Sequence, residues 1–174
     1  MTISADFPAD LTVAVMTHNN SATLDSVLET IAACGCPLSR TMVVDSASTD
    51  RCPDIAAARL GAAQVIRLAA NEGPNPARNR ALRQATTPYL LVLDADVLLT
   101  HEAPAALRRA MDEDRVAVVA PLVMHISRPD VIQYGGGGVH FICEAVNPWT
   151  DRPLAERGLD DRDIGAAPGA ALLI

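Results

Sequence analysis

Short runs of β-branched and aliphatic residues alternate along most of the chain with stretches that are rich in Ala and Leu. This alternation predicts βαβ units and therefore an α/β fold with a mostly parallel sheet flanked by helices. Near-continuous apolar runs of this kind are typical of strands that are buried on both faces. The predicted strands cover residues 11–16, 41–44, 64–68, 89–93 and 116–120.

Helical spacing follows the first predicted strand, where the apolar residues are Leu24, Val27, Leu28 and Ile31. Asn20 or Ser21 is the predicted N-cap of this helix, since both are residue types that accept hydrogen bonds from the first helical amides. Further helices are predicted over 53–60 and 77–84, and another begins after Thr100 as its cap. Each predicted helix therefore joins two predicted strands.

The 174 residues predict one domain, because a chain of this length can bury a core of its own. From Pro121 onward the periodicity fades, and the four-glycine run at 135–138 predicts a flexible connection. Residues 169–174 have the composition of the start of a buried strand, and the sequence stops inside it. We therefore expect a chain that is truncated at its C-terminus.

The net charge of −7 argues against binding of nucleic acid or of an anionic membrane surface, both of which require clustered Lys and Arg. Residues 1–6 have neither the basic nor the apolar region of a signal peptide, and no run is long and apolar enough to span a membrane. The four cysteines form no C-x-x-C pair, which predicts reduced thiols in a cytoplasmic protein.

Polar residues follow three predicted strands, and in parallel α/β sheets ligands bind outside the carboxyl ends of the strands. These residues are Thr17 and Asn19, then Asp45 and Ser46, and finally Asp94 and Asp96. Two carboxylates one residue apart can face one hard cation, which would supply the positive charge that an anionic ligand needs in this acidic chain. The alternative is an ordinary Asp-rich turn in which Asp96 caps a helix.

Four segments follow a recognisable order: VAVMTHNN at 13–20, VVDSASTD at 43–50, NEG at 71–73 with ARNRAL at 77–82, and YLLVLDAD at 89–96. They resemble the opening strand, the second-strand motif, the N-x-G-x-x-x-A-R-N segment and the D-x-D strand of family 2 glycosyltransferases of GT-A fold. This resemblance implies a Rossmann-like enzyme domain that transfers a sugar from a nucleoside-diphosphate sugar. The acceptor would be a glycan, a lipid or a protein.

The resemblance also implies inversion at the anomeric carbon, with Mg²⁺ or Mn²⁺ as the cofactor. Residues 11–120 would be the donor-binding core of a single domain spanning 1–174, and 121–174 would begin the acceptor-side region. The catalytic base of the family lies beyond the strand that 169–174 resembles, so we expect it beyond Ile174. The predicted location is cytoplasmic, and peripheral membrane association of a longer protein stays open.

Carried over to this sequence, the nucleotide-binding residues are Thr17, Asn19, Asp45, Ser46, Arg78, Asp94 and Asp96. The metal would lie on Asp96 and Asp94. Thr17 would contact the base or ribose, or its hydroxyl would simply end the strand with a hydrogen bond. Arg78 would reach the base or the diphosphate, or pair with a carboxylate on a solvated helix. Ser46 stands where many members have a second aspartate that recognises uracil, so a dTDP or other donor is open.

Two other functions remain as alternatives. The first is a nucleotide-binding fragment without catalytic competence, because the expected base is absent. The second is a phosphatase of the haloacid dehalogenase type, in which Asp94 would attack phosphorus. Three predicted strands precede Asp94, however, whereas the nucleophile of such a phosphatase follows the first strand.

Overall fold

A computed structural model of the protein describes residues 7–174, so the prediction that residues 1–6 are not a signal peptide lies outside the described residues. The described residues form two units, of which one contains 7–119 together with Gly169–Ile174, and the other is Ala120–Pro168. The assignment of 11–120 to donor binding and of 121–174 to the acceptor side stays a prediction.

The strands are β1 (Leu11–Thr17), β2 (Thr41–Asp45), β3 (Val65–Arg67), β4 (Tyr89–Asp94), β5 (Val123–His125), β6 (Arg128–Tyr134), β7 (Gly138–Val139), β8 (Ala145–Val146) and β9 (Ala171–Leu173). The α-helices are α1 (Leu24–Ala33), α2 (Cys52–Leu60), α3 (Pro74–Gln84), α4 (Ala103–Ala110) and α5 (Leu154–Arg157). Within residues 7–174, no helix combines the length and the apolar character that crossing a membrane requires.

The first unit contains a sheet with the strand order β3-β2-β1-β4-β9. β1 pairs in parallel with β2 and β4, and β2 pairs in parallel with β3, while β9 is antiparallel to β4. All residues of β1 and β2 are buried, as their near-continuous apolar sequences predict. The predicted α/β fold with a mostly parallel sheet is therefore confirmed.

Both faces of this sheet are covered, because successive side chains of a strand point to opposite faces. Val13 and Val15 belong to a core cluster with the four predicted apolar residues of α1, all of which are buried. Ala14 belongs to a second cluster that includes Ala77 and Ala81 of α3. The helices thus lie on either side of β1, at the centre of the sheet.

The predicted strand over 116–120 is wrong. In this segment Val119 forms a single bridge with Leu173, and Val118 is exposed. The start of a buried strand that the sequence predicts at 169–174 is confirmed, because β9 pairs with β4 and its Ala171 and Leu173 are fully buried.

Three predicted helix starts also need correction. Neither Asn20 nor Ser21 caps α1, because the helix begins at Leu24 and the backbone carbonyl of Asn20 accepts the first amides instead. Thr100 does not cap α4, whose N-cap residue is Glu102. α3 begins at Pro74, three residues before the predicted start, since proline fits the first helical turn without needing an amide partner.

The second unit is built from two small antiparallel pairs, β5 with β6 and β7 with β8, and the short helix α5. Three of the four glycines at 135–138 are closely packed, so the run is not a simple flexible connection. A Cβ atom on Gly135 would lie 2.9 Å from Cβ of Trp149, and one on Gly137 would lie 2.5 Å from the carbonyl oxygen of Val146. Glycine is required here because neighbouring chain segments approach too closely for a side chain.

Candidate functional site

The carboxyl ends of β1, β2 and β4 lie side by side in the first unit. Thr17 pairs with Asp45 across β1 and β2, and Met16 pairs with Asp94 across β1 and β4. The order of strands reverses at β1, since the chain continues to β2 and β3 on one side and to β4 on the other. Such a switch point is where ligands bind in parallel α/β folds.

A cleft of about 250 Å³ opens at this edge of the sheet. The predicted site residues that line it are Thr17, Ser46, Asp94 and Asp96. The loop before α3 contributes Asn71 and Gly73, and the loop after β1 contributes His18. Asn19, Asp45 and Arg78 lie outside the lining and act on it through other residues.

Asn19 ties the loop after β1 to the loop after β2. Its backbone amide donates to the Ser48 hydroxyl at 2.9 Å, and its side-chain Oδ1 accepts the amide of Thr49 at 2.9 Å. The residue has a φ of 57°, a left-handed conformation that Asn tolerates better than most residues. Asn19 therefore shapes the cleft by fixing its rim.

His18 and Ser46 form a second link between the same loops. Nδ1 of His18 lies 2.7 Å from the carbonyl oxygen of Ser46. Since a carbonyl oxygen only accepts, Nδ1 carries the proton and donates, which leaves Nε2 as an acceptor when the ring is neutral. His18 therefore lines the cleft beside Ser46, although the sequence shows no metal-ligand spacing around this histidine.

Asp45 is fully buried and points into the protein. Its carboxylate accepts the backbone amide of Ser48 at 3.2 Å and lies 3.4 Å from Nε of Arg67. These partners satisfy the charge of Asp45, because buried carboxylates need hydrogen bonds or an opposite charge. Asp45 thus holds the loop that carries Ser46.

Cys52 and Asp50 support the cleft from beneath, and sequence reasoning missed both. The Thr17 hydroxyl lies 3.2 Å from Sγ of Cys52, which also accepts the backbone amide of Asn20 at 3.2 Å. The alternative in which the Thr17 hydroxyl ends its strand with a hydrogen bond matches this geometry. For Asp50 the sequence did contain a signal, because an aspartate just before a predicted helix often accepts the first helical amides.

Asp50 connects the first residue of α2 with the loop that precedes α1. Its carboxylate accepts the amides of Ser21 at 2.8 Å and Cys52 at 3.0 Å. Desolvation raises the pKa of this carboxyl, but the hydrogen bonds from these two residues outweigh it and hold the pKa well below its usual range. Asp50 is therefore ionised at neutral pH and fixes both loops.

The Asp94-Ala95-Asp96 turn presents one engaged and one free carboxylate. Ala95 is buried, and its carbonyl oxygen accepts the Thr23 hydroxyl at 2.6 Å. Asp94 is the last residue of β4, whereas Asp96 is exposed and makes no hydrogen bond or ion pair with the part of the chain that the structure describes. The buried alanine anchors the turn between the two aspartates.

Arg78 of α3 holds the engaged carboxylate. Its Nη2 lies 3.2 Å from Oδ1 of Asp94 and donates to the carbonyl oxygen of Gly169 at 3.0 Å. Burial raises the pKa of Asp94 above its usual range, and the charge and hydrogen bond of Arg78 offset part of that rise. The alternative in which Arg78 pairs with a carboxylate is what the structure shows, although its side chain is only 19% exposed rather than solvated.

Asp94 and Asp96 fit a hard divalent cation. Carboxylate oxygens are preferred ligands of Mg²⁺ and Mn²⁺, and the Asp96 carboxylate is not committed to any described residue. Across residues 7–174 no cluster of three or more His, Cys, Asp or Glu side chains converges. A cation at this turn would therefore complete its coordination with oxygens of a ligand and water.

The parallel sheet with a cleft at its switch point defines the class of protein, an α/β domain whose cleft lies where such folds bind ligands. Comparison with protein families gives the particular family: the profile described as Glycosyl transferase family 2 matches residues 12–154. The chain belongs to this family. The predicted resemblance is confirmed, and the phosphatase alternative is wrong.

Solved structures support the same fold. A mannosyltransferase, PcManGT of Pyrobaculum calidifontis, in complex with GDP-Man and Mn²⁺, matches with a TM-score of 0.58 and 27% identity over 67% of this chain and 36% of that chain. S. aureus TarS 1-349 in complex with UDP-GlcNAc matches with a TM-score of 0.57 and 27% identity over 68% of this chain and 36% of that chain.

A third structure shows the fold alone. Glucosyl-3-phosphoglycerate synthase from Mycobacterium tuberculosis, in complex with Mg²⁺ and UDP, has 22% identity and a TM-score of 0.53 over 63% of this chain and 42% of that chain. A comparison with curated protein sequences finds no match. The match covers only 36% of the length of the mannosyltransferase, so the activity of that whole protein is not carried over to this chain.

Proposed function

We propose that this chain binds a nucleoside-diphosphate sugar in the cleft and serves the transfer of that sugar to an acceptor, with inversion at the anomeric carbon. The observation that carries the proposal is the Asp96 carboxylate, which lines the cleft without a partner among the described residues. Family membership and the donor complexes of the similar structures support it. The acceptor is a glycan, a lipid or a protein.

Asp96 and Asp94 would hold Mg²⁺ or Mn²⁺, and the ion would act as a Lewis acid that neutralises the departing diphosphate. Arg78 keeps the Asp94 carboxylate in place through its bond at 3.2 Å. The chain carries a net charge of −7, so a local cation is needed where a diphosphate approaches two aspartates. The same negative charge would repel nucleic acid, so we do not propose nucleic acid as a partner.

The other end of the cleft would receive the base or ribose. Ser46 and His18 line it from neighbouring loops, and Thr17 lines it from the end of β1. Asn19 and Asp45 contribute by holding these loops rather than by direct contact. The proposed location of the protein is cytoplasmic, which the free thiols of its cysteines support.

Asp96→Asn tests the proposal. Mn²⁺ should tighten binding of GDP or UDP to the unmodified chain, because Asp96 would hold the ion and its charge would offset the repulsion between this acidic surface and the phosphates. The substitution should weaken Mn²⁺-dependent binding by about tenfold or more, roughly 1.4 kcal/mol, without unfolding the chain. Titration calorimetry with Mn²⁺ and with chelator measures the difference.

Asp114→Asn is the matched control, since Asp114 is also exposed, lies outside the cleft lining and loses the same charge. Equal affinity of the unmodified chain for both nucleotides with Mn²⁺ and with chelator would contradict the proposal. A loss in Asp114→Asn as large as in Asp96→Asn would show that net charge, and not the Asp96 site, governs binding.

Ser46→Asp tests the base end of the cleft. An added carboxylate can accept a charged hydrogen bond from the N3–H of uracil, which is worth about 1.5–3 kcal/mol, on the order of 10- to 100-fold. The preference for UDP over GDP should rise accordingly in competition titrations. A native chain that already strongly prefers UDP over dTDP and GDP would contradict the assignment of Ser46 to a weak acceptor role.

A further inference from the structure

Gly169 lies against the guanidinium group of Arg78. A Cβ atom on Gly169 would lie 2.5 Å from Nη2, 2.6 Å from Cζ and 2.7 Å from Nη1 of Arg78. All three distances are shorter than any normal contact between heavy atoms that are not bonded. The site at 169 therefore accepts no side chain while Arg78 keeps its position.

The backbone conformation does not explain this glycine. Gly35 and Gly73 have φ angles of 81° and 91°, in the left-handed region that favours glycine, whereas Gly169 is not among the glycines with positive φ. The three atoms nearest to a Cβ at 169 all belong to the Arg78 guanidinium, so a side chain there would displace that group.

Gly169 also sits next to the backbone that holds Asp94. The amide of Asp94 donates to the carbonyl oxygen of Ala170 at 2.8 Å, and β9 continues from there with Ala171 opposite Leu93. Gly169 itself accepts Nη2 of Arg78 at 3.0 Å, and that same nitrogen lies 3.2 Å from the Asp94 carboxylate. The segment before β9 therefore fixes Asp94 twice, directly at its amide and through Arg78 at its side chain.

Arg78 has a third hydrogen-bond partner besides Asp94 and Gly169. Nη1 lies 3.3 Å from Oδ1 of Asn75, near the limit for a hydrogen bond, and Nε is buried without a partner among the described residues. An arginine side chain has many rotamers, and fixing one of them requires both free space and bonding partners. The missing side chain at Gly169 leaves the space, and the Gly169 carbonyl oxygen is one of the partners.

We propose that Gly169 is a positioning residue of the donor site: it seats the Arg78 guanidinium, which in turn holds the Asp94 carboxylate beside Asp96. The proposal rests on the proposed function in so far as Asp94 and Asp96 bind a metal and a nucleoside diphosphate. It assigns to the segment before β9 a role in donor binding that no motif in the sequence indicates.

A double-mutant cycle tests this inference with the variants Gly169→Ala, Arg78→Ala and both together. Gly169→Ala should weaken Mn²⁺-dependent binding of GDP or UDP by about tenfold, the scale of coupling between residues in contact. Arg78→Ala should cause a similar loss. The double variant should bind no worse than Arg78→Ala, because the added methyl group then meets open space. Calorimetry gives the affinities, and Gly138→Ala is the control, since a Cβ there meets nothing within 4 Å.

The same cycle can be measured by denaturant unfolding, which tests the positioning of Arg78 without any nucleotide. It thereby separates this inference from the proposed function, and it also detects a variant that folds poorly. A methyl group at 169 should lower stability when Arg78 is present and should have no effect when it is absent, whether or not any nucleotide binds. Additive losses in both measurements would overturn the inference, as would full binding and stability in Gly169→Ala. If the unmodified chain binds neither nucleotide but the coupling in stability persists, the proposed function fails and the seating of Arg78 stands.

Discussion

The two units of this protein differ in how many large apolar side chains they bury. In the first unit, Val13, Val15, Leu91 and Leu93 are fully buried at the centre of the sheet, so large aliphatic groups fill its interior. In the second unit, over Ala120–Pro168, the buried residues are Ile132, Tyr134 and Gly135. Backbone segments meet there at glycines, and the Tyr134 hydroxyl donates to the carbonyl oxygen of Ala166.

This difference determines which substitutions each unit tolerates. Removing volume from a filled core leaves a cavity, whereas adding volume where two backbones touch forces them apart. The first unit should therefore be most sensitive to large-to-small changes at buried aliphatic residues. The second should be sensitive as well to small-to-large changes at its glycines.

Leu91→Ala should produce the largest effect. Leu91 is fully buried in β4, between β1 and β9, so its truncation should lower the free energy of unfolding by about 2–5 kcal/mol. Chemical denaturation measures the loss. Leu82→Ala is the matched control, since Leu82 is 44% exposed on α3 and alanine favours helix. An equal cost for both changes would contradict the picture of a first unit held by its filled interior.

Gly137→Ala should have the next largest effect and should act on the second unit. The new Cβ would lie 2.5 Å from the Val146 carbonyl oxygen and 2.6 Å from Oδ1 of Asn147, so the cost is that of overpacking, about 1–3 kcal/mol. Amide hydrogen exchange over 120–168 should become faster. Gly138→Ala, where a Cβ meets nothing within 4 Å, should leave exchange unchanged. Equal exchange in the two variants would show that the glycines are not close-packed in solution.

The sequence predicts the first unit well because its strands are set by local composition. β1, β2 and β4 are apolar runs that are buried wherever they pair, so their positions need no knowledge of their neighbours. The outcome for the two other apolar segments, 116–120 and 169–174, is different, because only the second forms a strand of the sheet. Both segments are apolar, and only long-range packing decides which of them is buried.

The site residues likewise fall into those that local sequence predicts and those whose contacts depend on distant parts of the chain. Asp94 and Asp96 follow from a strand and a motif, and the structure brings Asp94 to the cleft edge beside β1. The loop bonds of Asn19 and Asp45 depend on a left-handed residue and on partners in another loop, which residue types alone do not specify. The contact of Arg78 with Gly169 joins positions 91 residues apart, and no local pattern connects them.

Asp50→Ala should have a smaller effect and extends the comparison to the loops of the first unit, which hydrogen bonds hold rather than volume. Loss of the two amide partners should cost about 1 kcal/mol, the usual cost of removing a side chain that caps a helix N-terminus. The pKa of Asp50 is lowered in the folded state, so its contribution is complete above the unfolded pKa of about 3.9 and is lost as the pH falls through the folded value.

Unfolding measured from neutral pH down to the acid transition checks this sign. The difference in stability between the native chain and Asp50→Ala should be constant near neutral pH and shrink below about pH 4. Asp54→Ala is the control, because Asp54 lies in the first turn of the same helix and is exposed. A difference that grows as the pH falls would contradict the role of the ionised carboxylate.

Phe141→Ser should have the smallest effect and gives the sharpest test of the second unit. Phe141 is 88% exposed between β7 and β8, and the neighbouring Ile142 is 55% exposed, so neither side chain fills an interior. The free energy of unfolding should change by no more than about 0.5 kcal/mol, whereas Ile132→Ala, at a fully buried position in β6, should cost at least twice that. Denaturant unfolding of the two variants makes the comparison. If Phe141→Ser costs as much as Ile132→Ala, the second unit has a side-chain core that includes Phe141 in solution, and close backbone packing is not what distinguishes it from the first.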